Sequence, residues 1–155
     1  MIVKILRILV LFPLLMSCGF KVINENQVRN FDIINVITTG DNRINFLLKK
    51  NLKSDKAKFS NKIELNLETN KLKEIKEKNI KNEITKYSIS IKTIINFTIV
   101  GSQKKGSFIV SKIGNYNVAS QYSQTTTNEK NLITSLTGQI EDDIIAELIS
   151  IINDL

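Results

Sequence analysis

The chain has 155 residues, a formal charge of +7, one cysteine and no histidine. Lacking histidine, it lacks the commonest general base and the commonest metal ligand, and no P-loop, GxGxxG or HExxH stretch occurs in it. The expectation is a non-enzyme without metal or cofactor.

The first residues, MIVKILRILVLFPLLMSCGF, hold Lys4 and Arg7 ahead of an apolar run from Ile8 to Leu15. That run is far shorter than the roughly 20 apolar residues a membrane-spanning helix needs. A positive start, a short apolar centre and a small residue at the cut form the layout of a secretory signal. Leu15, Met16, Ser17 and Cys18 resemble the bacterial lipobox. That resemblance implies cleavage between Ser17 and Cys18 and diacylation of the Cys18 thiol. The lone cysteine is then an attachment point, and two or three acyl chains at about 0.8 kcal/mol per buried methylene anchor a protein firmly. Gly19 stands where, by the same resemblance, an Asp would hold a lipoprotein at the inner membrane, so passage to the outer membrane is expected.

Residues 1–17 are therefore read as a removed signal, 18–30 as a lipidated tether, and 31–155 as one globular domain. Roughly 138 residues and a charge of about +5 remain after cleavage, enough for a core of its own. With Cys18 acylated no thiol remains for a disulfide, so packing must supply the stability. The chain is crowded with Ile, Lys and Asn, a bias that an AT-rich coding sequence produces by itself. The lysine excess is thus no argument for a nucleic-acid partner, and none is expected.

FDIINVI (31–37) suits a buried strand, broken by the segment Thr38 to Asp41. Asp41 is a good N-cap for a helix that places Ile44, Leu47, Leu48 and Leu52 on one face. Lys49, Lys50 and Lys53 load its C-terminus, where the helix dipole favours cations. Residues 54–62 form a polar connection. Ile63, Leu65 and Leu67 then alternate with Glu64, Asn66 and Glu68, as in a half-buried strand. Strand, helix and strand make a βαβ unit.

Residues 69–83, TNKLKEIKEKNIKNE, admit either a hairpin tip or a short helix, and the tip is preferred. Tyr87, Ile89, Ile91, Thr93, Ile95, Phe97 and Ile99 occupy every second place of a long strand. The segment Gly101 to Gly106 closes a hairpin. Phe108, Val110, Tyr116, Val118 and Tyr122 keep one parity through the next strand, with Gly114 read as a bulge. A capping box from Thr126 to Glu129 opens the last helix. Leu132, Leu136, Ile140, Ile144, Leu148, Ile151, Ile152 and Leu155 trace its buried face, widened by Ile133, Ile145 and Ile149.

The predicted architecture is an α/β two-layer sandwich of the α+β kind, in the order β-α-β-β-β-α. A mixed sheet of about four strands is covered on one face by two helices. The face carrying Ser88, Ser90, Lys92 and Asn96 is polar enough to be wet, with Ile94 as its exception.

Taken together, the lipobox ending in CGF, the short β-α-β unit, the two long strands, the segment GNYNVASQYSQ (114–124) and the terminal helix LTGQIEDDIIAEL (136–148) resemble the lipopolysaccharide-assembly lipoprotein family LptE, also called RlpB. The resemblance covers nearly the whole chain. It implies an outer-membrane lipoprotein that plugs an LptD-type β-barrel, assists its assembly and contacts lipopolysaccharide on its way to the outer leaflet. It also implies basic residues at loop ends that meet the anionic glycolipid. In this sequence those are Lys76, Lys78, Lys81 and Lys86, which lie near the tip between the second and third strands. Several lysines are suited to phosphate, although a solvated, composition-driven lysine run reads the same way. Residues 124–127, before the last helix, hold no basic residue, which departs from a site built on two basic loops.

A different class is a small periplasmic lipoprotein that regulates a cell-wall synthase or an ABC-type lipid transporter. A tether of about 12 residues reaches at most ~40 Å, which favours work close to the membrane. A lipid-anchored hydrolase is disfavoured by the absence of histidine and of any nucleophile motif.

Overall fold

Strict alternation of apolar and polar residues makes the middle of the chain a sheet. A computed structural model describes residues 29–54, 59–102 and 104–153. Its elements are β1 (Phe31–Gly40), α1 (Asn42–Leu52), β2 (Asn61–Lys78), β3 (Ile84–Val100), β4 (Lys105–Asn117) and α2 (Tyr122–Asn153). The four strands lie in chain order, with β1 parallel to β2 and the other pairs antiparallel. Both helices cover one face, so the predicted order and two-layer architecture hold. Residues 1–17, expected to be a signal and including Ser17, and the expected tether up to residue 28, including Cys18, lie outside the described residues.

The core fills the space between the helices and one sheet face. Ile63, Leu65 and Leu67 of β2 and Ile89, Ile91 and Ile95 of β3 are essentially inaccessible, as are Ile140, Ile144 and Leu148 of α2. In β1 the register shifts between Ile33 and Asn35. This irregularity lets Ile33 and Val36, three apart, both face inward.

Several boundaries differ from expectation for physical reasons. β1 does not stop at residue 37; it pairs with β2 as far as Gly40 and Thr69. Threonine is a good strand former, and the break comes only at Gly40, whose φ is +100°. Asp41 caps α1 as predicted, its Oδ1 accepting from the N–H groups of Arg43 and Ile44, both at 3.1 Å. Helix is absent from 69–83. β2 runs on to Lys78, and its apolar alternation fades because Leu72 and Ile75 are exposed.

Gly114 is not a bulge. The β3–β4 register passes through it without a shift. Its missing side chain admits Leu132 of α2, whose Cδ1 would lie 2.7 Å from a Cβ. Nor does Thr126 cap α2, which begins at Tyr122. Thr126 Oγ1 donates to the Tyr122 carbonyl at 3.1 Å within the helix, and Glu129 is engaged elsewhere.

Candidate functional site at the hairpin end

β2 spans 18 residues, about 60 Å at roughly 3.3 Å per residue. β1 leaves it at Thr69, so the distal half of the β2–β3 hairpin projects past the parallel strand. The turn closes tightly. The Asn79 N–H donates to the Glu83 carbonyl at 2.9 Å, and the Asn82 N–H to the Asn79 carbonyl at 2.9 Å. Asn79 Oδ1 accepts from the N–H groups of Lys81 and Glu83. Asn82 takes the left-handed conformation, φ 62°, which Asn tolerates because its short side chain bonds locally. Ile80 between them is fully exposed.

The four lysines selected from the sequence gather at this end but are not equivalent. Lys86 Nζ pairs with Glu77 Oε1 at 2.7 Å. Lys78 Nζ donates to Asn82 Oδ1 at 3.0 Å. Lys76 and Lys81 make no ion pair with any described residue. Glu74, Glu77 and Glu83 share the hairpin, so its end is a mixed surface on which the ammonium groups of Lys76, Lys78 and Lys81 have no carboxylate partner among the described residues.

At the root of this projection lies a cluster that sequence reasoning did not assemble. Lys73 Nζ meets Glu129 Oε2 at 2.7 Å, and the Tyr116 hydroxyl donates to the same oxygen at 2.8 Å. The ammonium stands 4.4 Å from the Tyr87 ring centroid and 5.4 Å from that of Tyr116. The two rings stack with centroids 5.6 Å apart. Burial by itself raises the Glu129 carboxyl, but the hydrogen bonds from Lys73 and Tyr116 outweigh it and hold the group below the usual carboxylate range. Burial likewise lowers Lys73, and its hydrogen bonds to Glu129 and Tyr116 outweigh that and leave it raised. For Tyr116 burial is the leading cause of an upward shift.

Strands β2, β3 and β4 and helix α2 each contribute one member, so the cluster pins the hairpin root to the helix. Its only trace in the sequence was that Tyr87 and Tyr116 each fall on the apolar parity of their own strand. Glu129 was masked by its fit to a capping box. Beside it opens a cleft of about 360 Å³ lined by Ile84, Tyr87, Val118, Tyr122 and Thr125, among others. Tyr122 is largely exposed there. A carboxylate already shared by an ammonium and a phenol is poorly placed as a general base, whereas the cleft and the free ammonium groups suit binding. Among the described residues no group of carboxylates could hold a metal ion.

Away from the helices, the sheet presents its second face to solvent. It mixes Glu64, Asn66, Glu68 and Lys92 with Ile37, Leu72, Ile109 and Ile113, the last 70% exposed. Apolar groups on such a face are what a partner surface covers. No helix among the described residues is long and apolar enough to cross a membrane.

Solved structures of small bacterial lipoproteins share the fold of this two-layer α+β domain. The structure of rare lipoprotein B from Shewanella oneidensis is similar, with a TM-score of 0.58 and 12% identity over 77% of this chain and 97% of that one. A lipoprotein from Caulobacter crescentus gives 0.55 and 10%, over 74% and 88%. Lipoprotein B from Nitrosomonas europaea gives 0.51 and 12%, over 87% and 93%. The likeness to the LptE (RlpB) family read from the sequence is therefore met at the level of the fold. No family model matches the chain, and no curated protein matches it.

Proposed function

We propose that this protein is a non-catalytic outer-membrane lipoprotein of a lipopolysaccharide translocon, anchored on the periplasmic side through acylated Cys18. It seats against and plugs an LptD-type β-barrel, assists assembly of that barrel, and contacts lipopolysaccharide through the lysine-bearing hairpin end. The fold shared with rare lipoprotein B, covering 97% of that chain, carries the reading, and the lipobox at residues 15–18 supports it. The solvent-facing side of the sheet, with Ile37, Leu72, Ile109 and Ile113 exposed, offers the surface such a partner would cover. Lys76 and Lys81 supply charge for glycolipid phosphates.

The test is affinity purification of the tagged, lipidated chain from detergent-solubilised outer membrane, with mass spectrometry of what accompanies it. A stoichiometric large β-barrel is the expected partner. Recovery of a cell-wall synthase or an inner-membrane ABC transporter instead would overturn the proposal and favour a regulatory lipoprotein of the same fold.

A further inference from the structure

The β4 strand is a long sheet edge whose only defences are two lysines, Lys105 and Lys112. Edge strands are normally blunted by proline, a bulge or inward-pointing charge, because unpaired N–H and C=O groups template pairing with another chain. β4 has 13 residues, no proline and no register shift against β3. Its charged side chain on the helix side, Lys112, is held by Asp143 at 2.6 Å.

The outward-facing backbone groups can be identified. Lys104 accepts from the Ile99 N–H at 2.9 Å, and the Val118 N–H donates to Thr85 at 2.9 Å. Bonding alternates along an antiparallel strand. Even-numbered residues of β4 therefore bond to β3, and residues 105, 107, 109, 111, 113, 115 and 117 direct their N–H and C=O groups away from it. Among the described residues only the Asn117 carbonyl finds a partner on that side, the Asn128 amide at 3.1 Å.

The strand is also self-complementary about Ser111. Laid antiparallel against itself with Ser111 opposite Ser111, all 13 residues overlap. On the open face Ile109 meets Ile113 twice and Ser107 meets Asn115. On the helix side Phe108 meets Gly114, Tyr116 meets Gly106 and Val110 meets Lys112, so each ring faces a glycine and no like charges are opposed. Neighbouring registers lose this match. Centring on Lys112 opposes two lysines, and centring on Val110 places Phe108 against Lys112 and Ile109 against Ser111.

The join would also extend existing rows of side chains. Ile94 lies opposite Ile109, and Leu72 opposite Ser90, which lies opposite Ile113. Across the edge, Ile94 and Ile109 of one copy would continue into Ile113 of the other, with Leu72 beyond its Ser90. From the open backbone row and this register we propose that the β4 edge is a self-association surface. There a second copy of the chain adds its own β4 antiparallel, making one eight-stranded sheet with the helices on a common face.

The register sets the test. Ser111→Cys is made in the full chain, purified in detergent, and exposed to a mild oxidant. Directly opposed, hydrogen-bonded residues have Cα atoms about 5.5 Å apart, inside the ~4.4–6.8 Å range of disulfides. The expected product is a covalent species of twice the chain mass, absent from the wild type, whose one cysteine, Cys18, is acylated under the proposed function. Ser107→Cys places its two thiols about 26 Å apart, eight residues at ~3.3 Å, and should not cross-link alone. Mixed with Asn115→Cys it should form the heterologous pair. All three positions are exposed, and matching circular dichroism spectra establish that the fold is intact. Adding Ile109→Lys to Ser111→Cys should cut the yield at least about fivefold. Cross-linking of Ser111→Cys no greater than wild type, or equal cross-linking of Ser107→Cys alone, would overturn the proposal. Because the chain is tested purified, the result does not depend on whether it also enters a barrel.

Discussion

Gly40 lies directly against the backbone of Thr69: a Cβ at Gly40 would sit 1.9 Å from the Thr69 carbonyl oxygen. That carbonyl accepts the Asp41 N–H at 3.1 Å, so the end of β1, the start of α1 and the middle of β2 meet at one point. Gly40 also has φ +100°, where L side chains are strained. Gly40→Ala should therefore destabilise the fold by about 3 kcal/mol or more, through strain and overpacking together. Gly101 has a similar φ of +109° but open space around it, so Gly101→Ala should cost only about 1 kcal/mol. Urea unfolding of both variants checks the contrast.

Acid should loosen the fold through two carboxylates. At Asp41 burial favours the neutral acid, but the hydrogen bond from Lys71 and the N–H groups of Ile44 and Arg43 outweigh it and lower the group. Glu129 is lowered in the same sense by Lys73 and Tyr116. A carboxyl lowered in the folded state stabilises it above the unfolded value, near about 4. That contribution disappears as pH falls through the folded value. Stability should thus be level from neutral pH down to about 5 and then decline. The double variant Asp41→Asn, Glu129→Gln should show a shallower acid limb, with a loss of about 1–2 kcal/mol at neutral pH. Denaturation midpoints measured across pH test this, and an unchanged acid limb would count against it.

The two sheet faces should respond oppositely to truncation. Ile144 is fully buried between α2 and the sheet, and Ile144→Ala should cost about 2–5 kcal/mol as transfer energy and cavity combine. Ile113→Ala, at a position 70% exposed, should fall within about 0.5 kcal/mol of wild type. Thermal unfolding compares the two. A large loss at Ile113 in the purified protein would mean that the open face is covered, by part of the chain itself or by a second copy joined at β4.

The hairpin lysines should divide in glycolipid binding. Under the proposed function, Lys76→Ala and Lys81→Ala should each weaken binding to purified lipopolysaccharide by roughly fivefold, about one charge-assisted contact. Lys86→Ala should do less, because its ammonium is already held by Glu77 at 2.7 Å. All three should leave stability unchanged. Calorimetric titration at two salt concentrations would check both the ranking and its electrostatic origin, since the differences should shrink as salt screens them. Equal effects for all three lysines would remove the distinction drawn from the structure.

Sequence patterning by itself determined the element order, the two-layer class and most of the core. Period-two alternation from Tyr87 to Ile99 and the apolar face from Leu132 to Ile152 each point to one buried side, and burying both against each other leaves little choice. The Asp41 cap was equally legible, because its donors lie two and three residues away. Local signals of that kind survive without knowledge of the fold.

Only the tertiary structure decided what depends on distant partners. Glu129 fits a capping box locally but is claimed by Lys73 and Tyr116 from two strands. Gly114 fits a bulge locally but is there to admit Leu132. The strand character of residues 69–78 comes from pairing with β3, since that stretch has too little buried apolar surface to declare itself. The four tip lysines look alike in the sequence, and cross-strand neighbours alone separate Lys86 from Lys76 and Lys81. In each case the deciding energy is a contact between residues far apart in the chain, which local patterning does not encode.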